Sequence, residues 1–241
     1  MNLEGNDFTG KEITTVHITE RISPVIFFNK TFVSHGRIYG IDDFSVIHQL
    51  DAKPYTYDAG YVATYDTPEY VRDNERLQQI RLDFIKAAHG SLPLSLLDVG
   101  YGNGAFLKAA KDIPIRYGKD VTGLQIPGVS LTNEYIPADV VTFWDCLEHI
   151  PDLSFLKDLA AQTLVISLPW CHFDVRGQEW FDNEYKHRKP DEHLHHFNAF
   201  SLMYFMKSMG WKYIDANNNE DEIRKSVDVW PNILSMAFKR G

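Results

Sequence analysis

The sequence predicts an α/β fold: a mostly parallel sheet of seven strands with helices on both faces, preceded by an N-terminal β-hairpin and cap. Three observations predict it. From Leu94 onward, short apolar runs alternate with amphipathic stretches, the order that builds βαβ units. The runs LSLLDVG, ADVVTFWD and TLVISLPW are continuously apolar rather than alternating, as strands covered on both faces are. Behind the first run, Gly100, Gly102 and Gly104 stand at every second position, more backbone freedom than a plain strand–helix turn needs.

Taken in order, residues 1–20 are a polar arm. Pro24–Ile41 is rich in β-branched and aromatic residues and reads as a hairpin with turn points at Asn29 and Gly36. HQLDAKPYTYDAGYVATYD is irregular and tyrosine-rich. A long helix follows, capped by Thr67, with Pro68 in its first turn, Gly90 as its stop, and Leu77, Ile80, Phe84, Ile85 and Ala88 on one face. After LSLLDVG come the helix GNGAFLKAAKD, the strand IRYGKDVTG and a short strand GVSLT. ADVVTFWD is the fourth strand, PDLSFLKDLAAQ its helix and TLVISLPW the fifth strand. FNAFSLMYFMKSMG is a helix capped by Asn198, with Leu202, Phe205, Met206 and Met209 inward and Gly210 as stop. WKYIDAN and NILSMAFKR close the chain as strands. The division is an arm, hairpin and tyrosine-rich cap over 1–66, then the α/β domain over 67–241.

The chain has 241 residues, 44% of them hydrophobic, and a net charge of −9. That balance argues against a broad phosphate footprint and hence against duplex nucleic acid as partner. Two cysteines, Cys146 and Cys171, are too few for a disulfide scaffold. No apolar run reaches bilayer length, and MNLEGNDFTGKEITT lacks a basic-then-apolar leader pattern. The expectation is a cytoplasmic protein without a membrane partner.

In a sheet of this kind ligands bind beyond the carboxyl ends of the strands, at the switch point after the first one. The run from Asp98 to Gly104 sits there. One glycine allows a sharp exit from the strand, one lets a ligand touch backbone, and one brings the helix close. The spacing is G-x-G-x-G behind an acid, not the G-x-G-x-x-G of a pyrophosphate cradle. Asp98 would repel phosphates, so a ligand with an ammonium group and a nucleoside fits better. Asp120, 22 residues on at the end of the second strand, is where an acid commonly holds ribose hydroxyls.

On these residues the chain resembles the class I S-adenosylmethionine-dependent methyltransferases, a Rossmann-like family. LLDVGYGNGAF is similar to their first motif, YGKDVTG to the second-strand motif, and ADVVTFWDCLEHIPD to the fourth-strand motif of the small-molecule branch, which includes ubiquinone-pathway O-methyltransferases. LVISLPW and HLHHFNAFSLMYFMKSMGW resemble that branch's fifth strand and following helix. The resemblance implies S-adenosyl-L-methionine as cofactor and methyl transfer to an O, N or C nucleophile of a small molecule. It implies cofactor contacts at Asp98, Gly100, Tyr101, Gly102, Gly104, Asp120 and Val121. Trp144 and Asp145 would border the amino-acid moiety, and Tyr57, Tyr61 and Tyr65 lie where a lid is often placed.

DCLEH puts Asp145, Glu148 and His149 at i, i+3 and i+4, on one face of a helical turn. Three readings stand side by side. Glu148 and His149 orient the turn; or His149 is a general base for the accepting group; or the carboxylates and imidazole hold a divalent metal with the distant His193, as small-RNA 2′-O-methyltransferases do. A metal is the alternative rather than the expectation. Metal-assisted 2′-O-methylation of a nucleic-acid end is the corresponding alternative function, and a non-catalytic S-adenosylmethionine-binding module is another. CHFDVRGQEWFDNEYKHRKPDEHLHHFN reads as a long polar and aromatic connection over the cleft, with His172 and His193 as the candidates for substrate contact.

Overall fold

The structure, a computed structural model, describes residues 28–57, 68–224 and 229–241, together with the short pairing of Gly5–Asn6 with Glu12–Ile13. The side chains of residues 68–74 lie outside that description, as do Thr67, Tyr61 and Tyr65 entirely. The chain forms two compact units that interleave in sequence. One takes residues 1–55, 148–155 and 169–205, the other 56–147, 156–168 and 206–241.

The larger unit is built on a seven-stranded sheet. Its strands are β4 (Ser95–Val99), β5 (Ile115–Lys119), β6 (Ser130–Leu131), β7 (Ala138–Trp144), β8 (Ala161–Pro169), β10 (Trp211–Asn217) and β11 (Ile233–Arg240). They lie in the order β10-β11-β8-β7-β4-β5-β6. The pairs β4/β5, β4/β7, β7/β8 and β5/β6 are parallel, and β10/β11 is antiparallel. The order reverses at β4, which places the loop after β4 at the topological switch point. Leu96, Leu97, Val99, Val140, Val141, Phe143 and Leu164 are buried, which explains the unbroken apolar runs. Helix α1 (Pro68–His89) turns Leu77, Ile80, Phe84, Ile85 and Ala88 inward, the face expected from their spacing. Burying each large side chain of this kind contributes roughly 1.5–3 kcal/mol. Helix α2 (Ala105–Ala109) is short.

The smaller unit carries a four-stranded antiparallel sheet. Strands β1 (Phe28–Ser34) and β2 (Arg37–Asp42) form the expected hairpin; β3 (Ile47–Gln49) and β9 (His195–His196) extend it in the order β9-β3-β2-β1. The hairpin turns at His35 and Gly36, both with positive φ, while Asn29 stays within β1. Phe32, Tyr39, Ile47, Trp180, Phe181 and Tyr185 pack into its core.

Two expectations are corrected. PDLSFLKDLAAQ is not a helix: only the single 3-10 turn Ser154–Lys157 forms, and β8 begins at Ala161. The carbonyls a helix would use are taken elsewhere: Trp211 Nε1 donates to Leu156 O at 2.9 Å and Arg240 donates to the carbonyls of Lys157 and Leu159. The histidine-rich connection is not all loop. It contains α3 (Phe173–Asn183), broken at Gly177 (φ 71°, ψ −174°), before β9 and α4 (Ala199–Ser208). Asn198 caps α4, its side-chain oxygen accepting from Ser201 N at 2.8 Å.

Candidate functional site

In the seven-stranded unit, the loop after β4 carries Gly100, Gly102 and Gly104, all at positive φ. Their surroundings differ. A Cβ on Gly104 would stand 2.2 Å from Ile126 Cδ1, and one on Gly100 2.3 Å from Cys146 Sγ. Those two glycines are there because the chain packs against itself. A Cβ on Gly102 would meet nothing within 4 Å, so its backbone faces open space. Asp120 stands at that place. Its Oδ2 accepts from Gly102 N at 2.9 Å, and its Oδ1 accepts from Thr122 N at 2.8 Å and Thr122 Oγ1 at 2.7 Å. A carboxylate oxygen has two lone pairs, so Oδ2 keeps one for an outside donor.

Asp98 is buried and accepts from Thr142 Oγ1 at 2.7 Å. Burial raises its pKa to about 7, against the pull of that hydrogen bond and of Arg81. Tyr101 turns its ring into the core beside Gly118 and donates its hydroxyl to Leu124 O at 3.0 Å, while Val121 is 81% exposed. Tyr57 is half-buried at the end of an irregular stretch.

Trp144 is buried at the end of β7, its Nε1 without a hydrogen-bond partner, and the Arg81 guanidinium lies 4.7 Å from its ring centroid. Asp145 leaves the strand in the left-handed region (φ 50°), a conformation Asp tolerates better than most residues. Its carboxylate accepts from Arg224 Nη1 at 2.7 and 2.9 Å and from Arg81 Nη2 at 3.3 Å. Both guanidiniums also bond Glu220, Arg81 through Nε and Nη2 at 3.0 Å each and Arg224 at 3.0 Å. Desolvation works against the charges of Arg81, Arg224 and Glu220. The neighbouring carboxylates still hold both guanidiniums above their ordinary range, and the two guanidiniums hold Glu220 below its own. Sequence reasoning missed Arg81, Glu220 and Arg224. Arg81 had a signal: it is a charged residue on the apolar face of α1, between Ile80 and Phe84.

In the four-stranded unit, Glu148, His149 and His193 come together, each offering a ligand atom within 4.8 Å of the others. Leu147–His149 is a 3-10 turn, and Leu194 N bonds the Glu148 carbonyl at 2.8 Å, which ties the turn to β9. His149 Nδ1 lies 2.8 Å from the Glu192 carbonyl and so carries the proton, which leaves Nε2 as the acceptor, 3.9 Å from Glu148 Oε1. Burial, with His149 and His196 nearby, drives the pKa of His193 far down, so its imidazole stays neutral. Asp145, expected on the same face, instead joins the arginines. His172 precedes α3 and stacks on Trp170 at 5.2 Å, outside the Glu148 group. His195 bonds His48 Nδ1 at 2.8 Å and Ile150 O at 2.9 Å, and His48 bonds Asp42 at 3.1 Å, a buried chain that fastens β9 to β3.

The sequence matches the profile of a methyltransferase domain family over residues 69–216. The chain belongs to this methyltransferase family. Class I methyltransferases take their methyl group from S-adenosylmethionine, which is therefore this enzyme's cofactor class. No curated protein matches the methyltransferase. Several solved structures do. An S-adenosylmethionine-dependent methyltransferase from Clostridium acetobutylicum is 12% identical, over 76% of this chain and 98% of that one, with a TM-score of 0.52. Magnesium protoporphyrin IX methyltransferase from Synechocystis with bound S-adenosylhomocysteine is 15% identical, over 74% and 92%, with a TM-score of 0.51. A 1,6-didemethyltoxoflavin N1-methyltransferase from Burkholderia thailandensis is 13% identical, over 86% and 97%, with a TM-score of 0.50. At these identities the likeness is one of fold, and it is the Rossmann-like fold expected from the sequence. Among the described residues no helix of the methyltransferase is long and apolar enough to cross a membrane.

Proposed function

We propose that this methyltransferase moves a methyl group from S-adenosylmethionine to an oxygen, nitrogen or carbon nucleophile of a small molecule. The observation that carries the donor assignment is the open backbone at Gly102 with Asp120 fixed beside it. The remaining lone pair on Asp120 Oδ2 suits a ribose hydroxyl, and the unpartnered Trp144 Nε1 is a further donor in the same unit. A bound sulfonium supplies an electrophilic methyl carbon, so the protein's task is to align and to exclude water rather than to form a covalent bond. The net charge of −9 favours a small acceptor over a nucleic acid. The toxoflavin enzyme of the same fold also acts on a small molecule.

Glu148, His149 and His193 are the groups we assign to the acceptor. His149 presents Nε2 as a base, oriented by its Nδ1 bond to the Glu192 carbonyl, and removes a proton where the nucleophile carries one. Titration with S-adenosylhomocysteine tests the donor site. Low-micromolar binding that falls about 10- to 100-fold in Asp120→Ala is expected; undetectable binding by the parent enzyme defeats the reading.

A second reading has one observation in its favour. One carboxylate and two imidazoles within 4.8 Å form a donor set for a divalent cation, as metal-assisted methylation would require. Turnover that survives exhaustive chelation, with no rise on adding Mg²⁺, Mn²⁺ or Zn²⁺, removes this second reading and leaves His149 as a base.

A further inference from the structure

The four-stranded unit contains buried polar groups that the account above does not use. Tyr39 is fully buried, Tyr185 is 7% exposed and His196 2% exposed. The Tyr185 hydroxyl and His196 Nε2 are shielded from solvent and have no hydrogen-bond partner among the described residues; the Tyr39 hydroxyl and Arg188 Nε and Nη1 are shielded too, with the phenol and the guanidinium within reach of each other. They belong to one cluster. The His196 ring lies 5.6 Å from Tyr185 and 6.0 Å from Tyr39. The Arg188 guanidinium is near enough to Tyr39 to oppose the rise in the phenol's pKa that burial causes. It also donates from Nη2 to the Asp182 carbonyl at 3.4 Å, and among the described residues it forms no ion pair. The backbone that presents it is firmly folded, with Arg188 N bonding Tyr185 O at 3.0 Å.

A half-buried guanidinium that forms no ion pair among the described residues, bonded to one phenol and beside another phenol and an imidazole without partners, is a costly arrangement for a closed core. Each deficit is met by one kind of ligand. Arg188 has N–H groups to donate, the two phenols can each donate one O–H, and His196 can donate from Nε2. An oxyanion accepts all of them.

The cluster adjoins the groups assigned to the acceptor. His196 lies 6.4 Å from His193, and His187 lies 5.9 Å from Tyr185 and 6.3 Å from His193. Glu148 is close enough to Tyr185 to help raise its pKa. On another side, His196 forms one wall of a cavity of about 180 Å³ with Ile41, Ile47, Cys171, Phe173 and the exposed Asp174. A dry cavity of about 150 Å³ can hold a benzene ring, so this one has room for the organic body of a small molecule. The carboxylate of Asp174 disfavours a second anion there.

We propose that Arg188, Tyr39, Tyr185 and His196 form an oxyanion subsite, and that the methyl acceptor is a small molecule bearing a carboxylate or a phosphate. The inference rests on the assignment of Glu148, His149 and His193 to the acceptor. The anion is gripped at Arg188, and the nucleophile is left for Glu148, His149 and His193.

Calorimetric titration of the full chain, with and without S-adenosylhomocysteine, tests this with benzoate, phenylphosphonate and the neutral isostere benzamide. At least one anion is expected to bind, about tenfold or more tighter than benzamide. A preference for benzoate identifies a carboxylate acceptor and a preference for phenylphosphonate a phosphate. Arg188→Met is expected to weaken the anion about 10- to 100-fold, leaving benzamide and S-adenosylhomocysteine unchanged. Tyr39→Phe is expected to weaken it a few-fold and serves as the probe should Arg188→Met fail to fold. Intact S-adenosylhomocysteine binding with no anion binding at millimolar concentration overturns the oxyanion subsite alone. So does an anion affinity indifferent to both substitutions. Loss of S-adenosylhomocysteine binding by the parent chain strikes the methyltransferase reading instead.

Discussion

The two units treat buried polar groups in opposite ways. In the seven-stranded unit Arg81 and Glu220 are buried and Arg224 and Asp145 half-buried, and these four side chains satisfy one another. In the four-stranded unit Arg188, Tyr39, Tyr185 and His196 bring polar atoms out of water, and beyond the Tyr39–Arg188 contact most of them are left unmatched. The first arrangement is closed by the chain itself. The second makes physical sense as part of a site completed by something else. Removing a charge should therefore have opposite consequences. Arg81→Met leaves the Glu220 carboxylate buried with only Arg224, and about 3–5 kcal/mol of stability should be lost. Arg188→Met removes a half-buried cation that has no counter-charge among the described residues and should cost under about 1 kcal/mol, or stabilise. Urea unfolding of the two variants decides it; equal losses would dissolve the contrast.

The glycine loop supplies the next test, since two of its residues look alike in sequence and not in space. Gly104→Ala sets a methyl 2.2 Å from Ile126 Cδ1 at a positive φ. The clash and the left-handed backbone together should cost about 2–4 kcal/mol. Trimming the neighbour in Gly104→Ala/Ile126→Val should restore part of the loss. If the double variant is no more stable than Gly104→Ala, the close approach is not what requires the glycine.

What was legible divides along the same line. The sheet could be read because a strand covered on both faces leaves a local trace, a continuous apolar run, and the switch point could be read because Asp98 and three alternating glycines sit immediately behind one. Arg81 was visible as an intruder on an apolar helix face and was passed over. The false helix after β7 came from a local pattern overruled from a distance, by Trp211 and Arg240 claiming its carbonyls. Of the four-stranded unit, the hairpin was legible and the polar core was not. Its core joins Tyr39 to Tyr185 and His196 across well over a hundred residues, and no local periodicity announces such a meeting. Glu148 and His149 were recognised by their spacing and His193 only through the family resemblance, since the contact that joins them, Leu194 N to the Glu148 carbonyl, spans more than forty residues.

Protonation should expose the contrast again. Asp98 has a folded pKa of about 7 against an ordinary carboxylate value near 3.8. Below the ordinary value the carboxyl is neutral in both states and destabilises nothing. As pH rises from about 4 to 7 the unfolded chain ionises and the folded one resists, so stability falls by up to about 1.4 kcal/mol per pH unit. His196, with a folded pKa of about 3, and the similarly depressed His193 and His195 do the reverse. Their neutral forms cost nothing above about 6.5, and stability is lost as pH falls below that, because only the unfolded chain takes up the proton. Hydrogen exchange, corrected for its intrinsic rate, should show protection in β4 and β7 declining from pH 5 to 7 while protection in β3 and β9 increases. Asp98→Asn should flatten only the first trend. Parallel trends in both units would contradict the assignment of these burial effects.

Within the glycine loop the smaller change in stability belongs to Gly102. Its φ of 54° disfavours a side chain, but a methyl there meets nothing. Gly102→Ala should therefore cost only about 1 kcal/mol, well short of Gly104→Ala. Its effect on binding should run the other way, because the open space beside Gly102 N and Asp120 is the space we assign to the cofactor. S-adenosylhomocysteine should bind Gly102→Ala at least about tenfold more weakly, with the fold intact by circular dichroism. A variant that keeps full affinity would mean that the methyl group and the nucleoside do not compete for that volume. The middle glycine would then be a matter of backbone conformation alone, and the donor site would have to be sought away from Asp120.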